Sequence, residues 1–269
     1  MPFQYPSLMI KHVKSSLAMA RKLESNLTPV SNQGKSTGDY SDNRVGNLIL
    51  TMPGMSGIMT RHFLNNLCSY PGIVYTEVGV WTGSTFCSAV YKNPMKLAWG
   101  IDNFSQFSGK WAVEKFLENN KVLSDCDVEH TIRELKGKKL KLTVQDFRAV
   151  DFSNFISEFG EIDIYFFDGP HDVTDQRDGI ILAYEALAEN FVLIVDDWNW
   201  DCVREGTESA LKTLGTVIQY QVEIFTPTDS YWIVEGPSTI VYPNGAATMS
   251  HHQSSNWHNG LSIFACTKA

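Results

Sequence analysis

The sequence predicts an α/β domain with a mostly parallel sheet and helices on both faces, and three observations carry that expectation. Five short apolar runs recur through the middle of the chain, mostly with helix-like stretches between them. Each run ends at a glycine or an aspartate. The chain then closes on two strand-like runs with no clear helix between them.

Taken in order, MPFQYPSLMIKHVKSSLAMARKL reads as an amphipathic helix punctuated by Lys11, Lys14, Arg21 and Lys22. It is expected to cover part of the domain or a partner subunit, which makes a homo-oligomer a reasonable state. Residues 31–46, rich in Ser, Gly, Asn and Asp, read as a loop or flexible lid. A helix is expected around 55–69, stopped by Pro71-Gly72. Strands follow at 73–80, 96–102, 139–146, 162–170 and 190–198, and helices at 84–92, 109–120, 174–188 and 203–214. Near-continuous apolar strands imply a parallel sheet covered on both faces. The runs at 217–227 and 260–268 lack a crossover helix and are expected to pair antiparallel. This divides the chain into a helical cap and loop, 1–70, and a sheet domain, 71–269, with an insertion at 228–259.

Composition narrows the function. A length of 269 residues suits one large α/β domain, and 43% hydrophobic with 12% aromatic residues can fill its core. Net charge is -8 and pI about 5.3. No run of Lys and Arg offers the basic patch that nucleic acid needs, so no nucleic-acid partner is expected. The five cysteines, Cys68, Cys87, Cys126, Cys202 and Cys266, form no CxxC pair. Neither a disulfide framework nor a cysteine zinc site is suggested, and a reducing, cytoplasmic setting is the natural one. The N-terminal stretch lacks an apolar run long enough for a signal peptide or a membrane span.

Chemistry concentrates at the strand ends. Glu77-Val78-Gly79-Val80-Trp81-Thr82-Gly83-Ser84-Thr85 sits where the first strand turns into its helix. Glycines there let the backbone approach a ligand, and a helix start offers free N–H groups. Alone, such a turn is common. Asp102, with Asn103 beside it, ends the second strand about 20 residues on, where a carboxylate accepts ribose hydroxyls. Asp146 ends the third strand and would reach the adenine amino group, with Phe147 packing on the base. Each has a bland counterpart, a solvated strand-end carboxylate. Three in register would line one crevice outside the carboxyl ends of the strands.

A second constellation is Asp168 in FFDGPHD and the pair Asp196-Asp197 in LIVDDWNW. The two strands should be neighbours, which crowds these carboxylates and raises their pKa values unless a cation compensates. A hard divalent ion such as Mg²⁺ resolves the crowding; a structural or hydrogen-bonding role is the alternative. Adjacent strand residues point opposite ways, so the alternative reading makes one of Asp196 and Asp197 a cap for the next helix. His171 hangs over the crevice as a general base or as a loop histidine satisfied by a carboxylate. His251, His252 and His258, beside Asn256 and Trp257, match no zinc spacing and read as a substrate-facing loop. Trp198, Trp200, Tyr231 and Trp232 would stack on a flat or sugar-like acceptor, or pack in the core or an interface.

Together the E-x-G-x-x-x-G-x-T turn, Asp102, F-F-D-G-P-H and V-D-D-W resemble the class I S-adenosylmethionine-dependent methyltransferases. The likeness is strongest to the branch of macrocin-type sugar O-methyltransferases and cephalosporin hydroxylase-like proteins. It spans roughly residues 47–200, and MSGIMTRHFLNNLC is similar to the helix before the cofactor motif in that branch. The resemblance implies a Rossmann-like methyltransferase fold, seven-stranded, with an antiparallel final strand. It implies that Glu77, Gly79, Trp81, Gly83 and Thr85 line the methionine and ribose end of S-adenosylmethionine. Asp102 would hold the ribose, Asp146 and Phe147 the adenine, and Asn103 and Asp168 would also belong to the cofactor site. Asp168, Asp196 and Asp197 match acidic Mg²⁺ ligands, and His171 or Asp168 would collect the proton of a small-molecule hydroxyl, such as a sugar's. Two departures stand out. Pro170-His171 obscures which residue is the base, and Trp81 stands where a small residue is usual, narrowing the methionine pocket.

Rival readings remain at this level. A nicotinamide oxidoreductase would want the third glycine of G-x-G-x-x-G, which is missing. A cofactor-binding scaffold without catalysis and a metal-dependent, hydroxylase-like activity are the others.

Overall fold

The computed structural model describes residues 2–24, 52, 54–107, 109–121, 123, 140–226, 239–241, 248–250 and 257–269. The expected loop at 31–46, Cys126, Tyr231, Trp232, His251, His252 and Asn256 lie outside them. Among the described residues the chain runs α1 (Pro6–Glu24), α2 (Ile58–Leu67), β1 (Val74–Val78), α3 (Ser84–Val90), β2 (Leu97–Asp102), α4 (Gly109–Asn120) and β3 (Leu140–Val144). It continues through α5 (Phe152–Phe159), β4 (Ile162–Phe167), α6 (Val173–Ala183), β5 (Leu187–Asp196), α7 (Asp201–Leu214) and β6 (Val217–Ile224). Then come β7 (Thr239–Val241), β8 (Thr248–Ser250) and β9 (Leu261–Thr267).

Seven strands form one sheet in the order β3-β2-β1-β4-β5-β9-β6. Only β9 runs against the rest, inserted between β5 and β6. The order reverses between β1 and β4, which pair directly. That reversal opens the crevice at which sheets of this type bind ligands. This is the mostly parallel sheet with an antiparallel final strand that the sequence predicts.

Side chains alternate across the sheet as strand geometry requires. Tyr75, Ile164, Phe166, Val192, Ile194 and Ile263 face a core shared with α1, α2 and α3. Val74, Val78, Trp99, Tyr165, Phe167, Leu193 and Val195 face a second core with α5, α6 and α7. Both faces are therefore buried, which is why the strands read as continuous apolar runs. Phe3, Met9, Val13, Leu17 and Ala20 place the N-terminal helix on the first core, and Asn190 Nδ2 donates to Phe3 O at 3.1 Å. No helix among the described residues is long and apolar enough to cross a membrane.

The structure departs from the sequence reading in four places. Helix α5 was not anticipated: it is only eight residues, started by Asp151 Oδ1 accepting from Asn154 N and ended at Gly160 in a positive-φ conformation. Its Phe155 stacks on Trp99 at 4.0 Å. The third strand stops at Val144, because Asp146 caps a 3₁₀ turn, Phe147–Ala149. The helix expected to reach 188 ends at Ala183, and a 3₁₀ turn, Tyr184–Ala186, lets β5 begin at Leu187. Within the insertion, β7 and β8 pair as a small antiparallel ribbon.

One buried acid lies far from the crevice, at the start of β4. Asp163 Oδ2 accepts the Val74 N–H at 2.8 Å, tying β4 to the start of β1. Burial, against the pull of that N–H, lifts its carboxyl to about 7. A raised carboxyl holds its proton longer in the folded state, so its penalty is absent below the unfolded pKa. The penalty grows as pH rises from about 4 through about 7. Asp163→Asn is expected to gain stability over wild type at about pH 8, by up to roughly 2–4 kcal/mol in urea unfolding, with the gain shrinking toward about pH 4. Equal differences at both pH values would show that the carboxyl is not held protonated.

Candidate cofactor and acceptor site

The crevice is built first from backbone. Gly79 takes φ 89°, and a Cβ there would stand 1.8 Å from Asp168 O. Its N–H donates to Ile101 O at 2.9 Å, while Asp168 N donates to Val78 O at 2.9 Å. One bare Cα thus lets the ends of β1, β2 and β4 close on one another. Gly83, φ 84°, starts α3 with its N–H on Val80 O at 2.6 Å and Phe116 against its Cα.

Between the glycines lies Trp81, φ 40°, a left-handed conformation that side chains adopt at a cost. Its amide donates to Asp102 Oδ2 at 2.8 Å, and Asp102 Oδ1 accepts from Phe104 N at 2.7 Å. Asp102 therefore clamps both turns that border the crevice. Burial raises its carboxyl, and these two donors partly offset that. The indole of Trp81 donates to Phe107 O at 3.2 Å and packs against Phe107 and Trp111. Asn103 is exposed and accepts from Ser105 N at 2.9 Å.

Glu77 and Thr85, read from sequence as cofactor contacts, bond to each other. Thr85 Oγ1 donates to Glu77 Oε1 at 2.5 Å and Tyr75 OH donates to Glu77 Oε2. Burial lifts the Glu77 carboxyl to about 7, against these two hydroxyls. The trio fastens the first turn of α3 to β1. Asp146 lies on the rim and accepts from Arg148 N at 2.9 Å. The ring of Phe147 is buried edge-on against Phe167, with the Arg148 guanidinium 4.4 Å above it.

The floor of the crevice is acidic. Burial pushes Asp168 and Asp196 well up, helped at Asp168 by the charges of Asp196 and Asp197 and at Asp196 by that of Asp197. Asp196 is 4% exposed, and its Oδ1 has no hydrogen-bond partner. Asp197 behaves differently. It takes φ 54° and does not cap α7 with its side chain. Burial pushes its carboxyl up, but His171, His258 and Asn259 outweigh this and hold it below the usual range. Asn259 Nδ2 donates to Oδ1 at 2.6 Å, and His171 Nε2 lies 2.7 Å from Oδ2. The His171 ring stands edge-on to Trp200, centroids 4.4 Å apart. One ligand atom each from Asp168, His171 and Asp197 lies within 4.8 Å of the others. Asp196 does not join that set.

Sequence reading missed two residues. Asn259 reaches Asp197 because β9 pairs with β5 so that Leu261 faces Asp196. The turn before Leu261 is thereby laid beside the turn after Asp196, and Asn199 N donates to Asn259 O at 2.9 Å. The antiparallel pairing of the final run was the signal that would have found it. Arg61 of α2 is fully buried and donates to Met52 O at 2.8 Å and Ser56 Oγ at 2.9 Å. Ser56 Oγ in turn lies 2.8 Å from Ser84 Oγ, so this strap is fixed to the start of α3. Of the aromatics, Trp198 is core, bonding Glu223 Oε1 at 2.9 Å, and Trp257 is buried beside Phe63.

No family model matches the chain. No curated protein matches it either. Similar solved structures include the O-methyltransferase from Bacillus cereus in complex with SAH, at 13% identity and TM-score 0.48, covering 95% of this chain and 100% of that one. Another is a TDP-rhamnose 3'-O-methyltransferase of calicheamicin biosynthesis, at 15% identity and TM-score 0.44, covering 77% and 88%. A third is precorrin 8W decarboxylase from Methanobacterium thermoautotrophicum, at 13% and 0.46, covering 81% and 94%. The architecture rests on the sheet order itself, and the site on its own residues.

Two glycines with nearly equal φ separate conformation from contact. Gly72, φ 81°, has open space where Gly79 has Asp168 O. Gly72→Ala is expected to lose about 1 kcal/mol in urea unfolding, the left-handed penalty alone. Gly79→Ala adds a backbone collision and should lose at least about 3 kcal/mol, or fail to fold. Equal losses would mean that the β1–β4 closure tolerates a methyl group.

Proposed function

We propose that this chain is an S-adenosylmethionine-dependent methyltransferase acting on a hydroxyl of a small molecule, a sugar or another polyol, with help from a divalent cation. The observation that carries the reading is electrostatic. Glu77, Asp102, Asp168, Asp196 and Asp197 sit at the carboxyl ends of β1, β2, β4 and β5, where the strand order of the sheet reverses. An acidic crevice suits a sulfonium cation and repels the pyrophosphate of a dinucleotide. The solved structures noted above include one in complex with SAH and one that methylates a sugar oxygen.

The work of this chain's residues is positioning. The sulfonium already carries a reactive methyl group, so catalysis lies in aligning the acceptor oxygen with it. Gly79 and the Asp102-clamped turns shape the cofactor side. On the acceptor side, the carboxylates of Asp168, Asp196 and Asp197 and the His171 imidazole form a donor set that fits a divalent cation. The unpartnered Oδ1 of Asp196 marks the local excess of acceptors. When bound, such an ion would hold neighbouring acceptor oxygens and ease ionisation of the hydroxyl. The proton leaves toward the carboxylate–imidazole group of Asp168, His171 and Asp197.

Calorimetry with S-adenosylmethionine and S-adenosylhomocysteine tests this. Wild type is expected to bind both in the micromolar range. Asp102→Ala frees the Trp81 and Phe104 amides as well as the ribose partner, and should weaken binding at least about tenfold. No heat from folded wild type would overturn the methyltransferase reading.

A further inference from the structure

We propose that Arg61 receives the carboxylate at the methionine end of the cofactor, and that Met52, Gly54 and Ser56 set its guanidinium for that contact. The inference rests on the reading that the crevice holds S-adenosylmethionine, and it gives a role to a residue that the sequence did not single out.

The charges of the ligand pose the problem. S-adenosylmethionine carries two positive groups, the sulfonium and the ammonium, and one negative group, the carboxylate. A crevice floored by Asp168, Asp196 and Asp197 suits the first two and repels the third. A carboxylate taken out of water beside those acids needs a cationic donor to offset the loss.

Arg61 stands where such a donor is wanted. Its Nε donates to Ser56 Oγ at 2.9 Å, and Ser56 Oγ lies 2.8 Å from Oγ of Ser84, the first residue of α3. Gly54 crosses the same spot, because a Cβ on it would lie 1.9 Å from Ser84 Oγ and 3.4 Å from Arg61 Nη2. A short step therefore joins the guanidinium to the glycine turn that ends at Gly83. The charge is also felt at His258, next to the Asn259 that holds Asp197. Burial lowers the His258 imidazole, Asp197 raises it, and Arg61 lowers it again. Arg61 is fully buried, yet burial brings its guanidinium down only to about 9, so it stays cationic at neutral pH.

The bonds of the guanidinium are unequal. Nη1 donates to Met52 O at 2.8 Å, whereas Nη2 reaches Gly54 O only at 3.5 Å. A neutral carbonyl at that distance is a weak partner, and a carboxylate oxygen at about 2.8 Å would replace it with gain. Nε and Nη1 keep the plane of the group fixed while Nη2 changes partner. Gly54 permits the exchange, since its bare Cα lets the chain pass over Ser84 within reach of the same nitrogen.

The test compares S-adenosylhomocysteine with its decarboxylated analogue, which keeps the adenosine, the sulfur and the ammonium. Both are titrated calorimetrically into the full chain, with circular dichroism confirming the fold of each variant. Wild type is expected to bind S-adenosylhomocysteine at least about tenfold more tightly than the analogue. Arg61→Met should remove most of that preference, weakening S-adenosylhomocysteine and leaving the analogue nearly unchanged. Arg61→Lys keeps the charge without the planar fork and should retain part of it. Should Arg61→Met not fold, the wild-type ratio and Arg61→Lys still decide. Equal affinity of wild type for the two ligands overturns the proposal, as does a full preference in folded Arg61→Met or an undiminished one in Arg61→Lys. Those results leave the methyltransferase reading standing, because S-adenosylhomocysteine still binds. Failure of folded wild type to bind either ligand sinks both.

Discussion

The tightest glycine contact among the described residues is that of a bare Cα with a carbonyl. Gly79 lies so near Asp168 O that no side chain fits between them. Because it does, the carboxyl ends of β1 and β4 stay closed at the point where the strand order reverses. Asp168 is then fixed by its own N–H on Val78 O, and β5, pairing with β4, brings Asp196 and Asp197 to the same level. The acidic floor is a consequence of that closure. Had the two strands splayed by one residue's width, the acids would face water separately and their charges would be screened.

Much of this was legible beforehand. Strands buried on both faces leave runs such as IYFF and VLIV that have few other readings, and the acid or glycine after each run marks its carboxyl end. So the sheet, its antiparallel closing strand and the crevice followed from periodicity. Helix α5 was hidden because eight residues hold barely two turns, and its Asp151 cap is only visible once the hydrogen bond is drawn. The break after Ala183 was hidden for a similar reason, since Tyr184–Ala186 continues a helix-compatible composition in a tighter turn.

Side-chain commitments were the least legible. Sequence places Glu77, Thr85 and Asp102 near the cofactor, and the structure shows where their polar atoms already go. Glu77 is occupied by Tyr75 and Thr85, and Asp102 by two amides. A residue at the right strand end can serve the ligand indirectly, by fixing the turn that touches it. Asn259 shows the converse. Its neighbours Trp257 and His258 read only as part of a substrate-facing loop, and long-range pairing is what delivers Asn259 to Asp197.

The position of β9 has a consequence for how the molecule comes to exist. It is made after β6 but lies inside it in the sheet, with β5 on one side and β6 on the other. During synthesis, β5 therefore presents an open edge until residues 261–267 emerge, and β6 has nothing to pair with. Asp197 likewise waits 62 residues for Asn259. The acidic floor cannot reach its final geometry on a nascent chain, so the site is among the last parts of the protein to become competent.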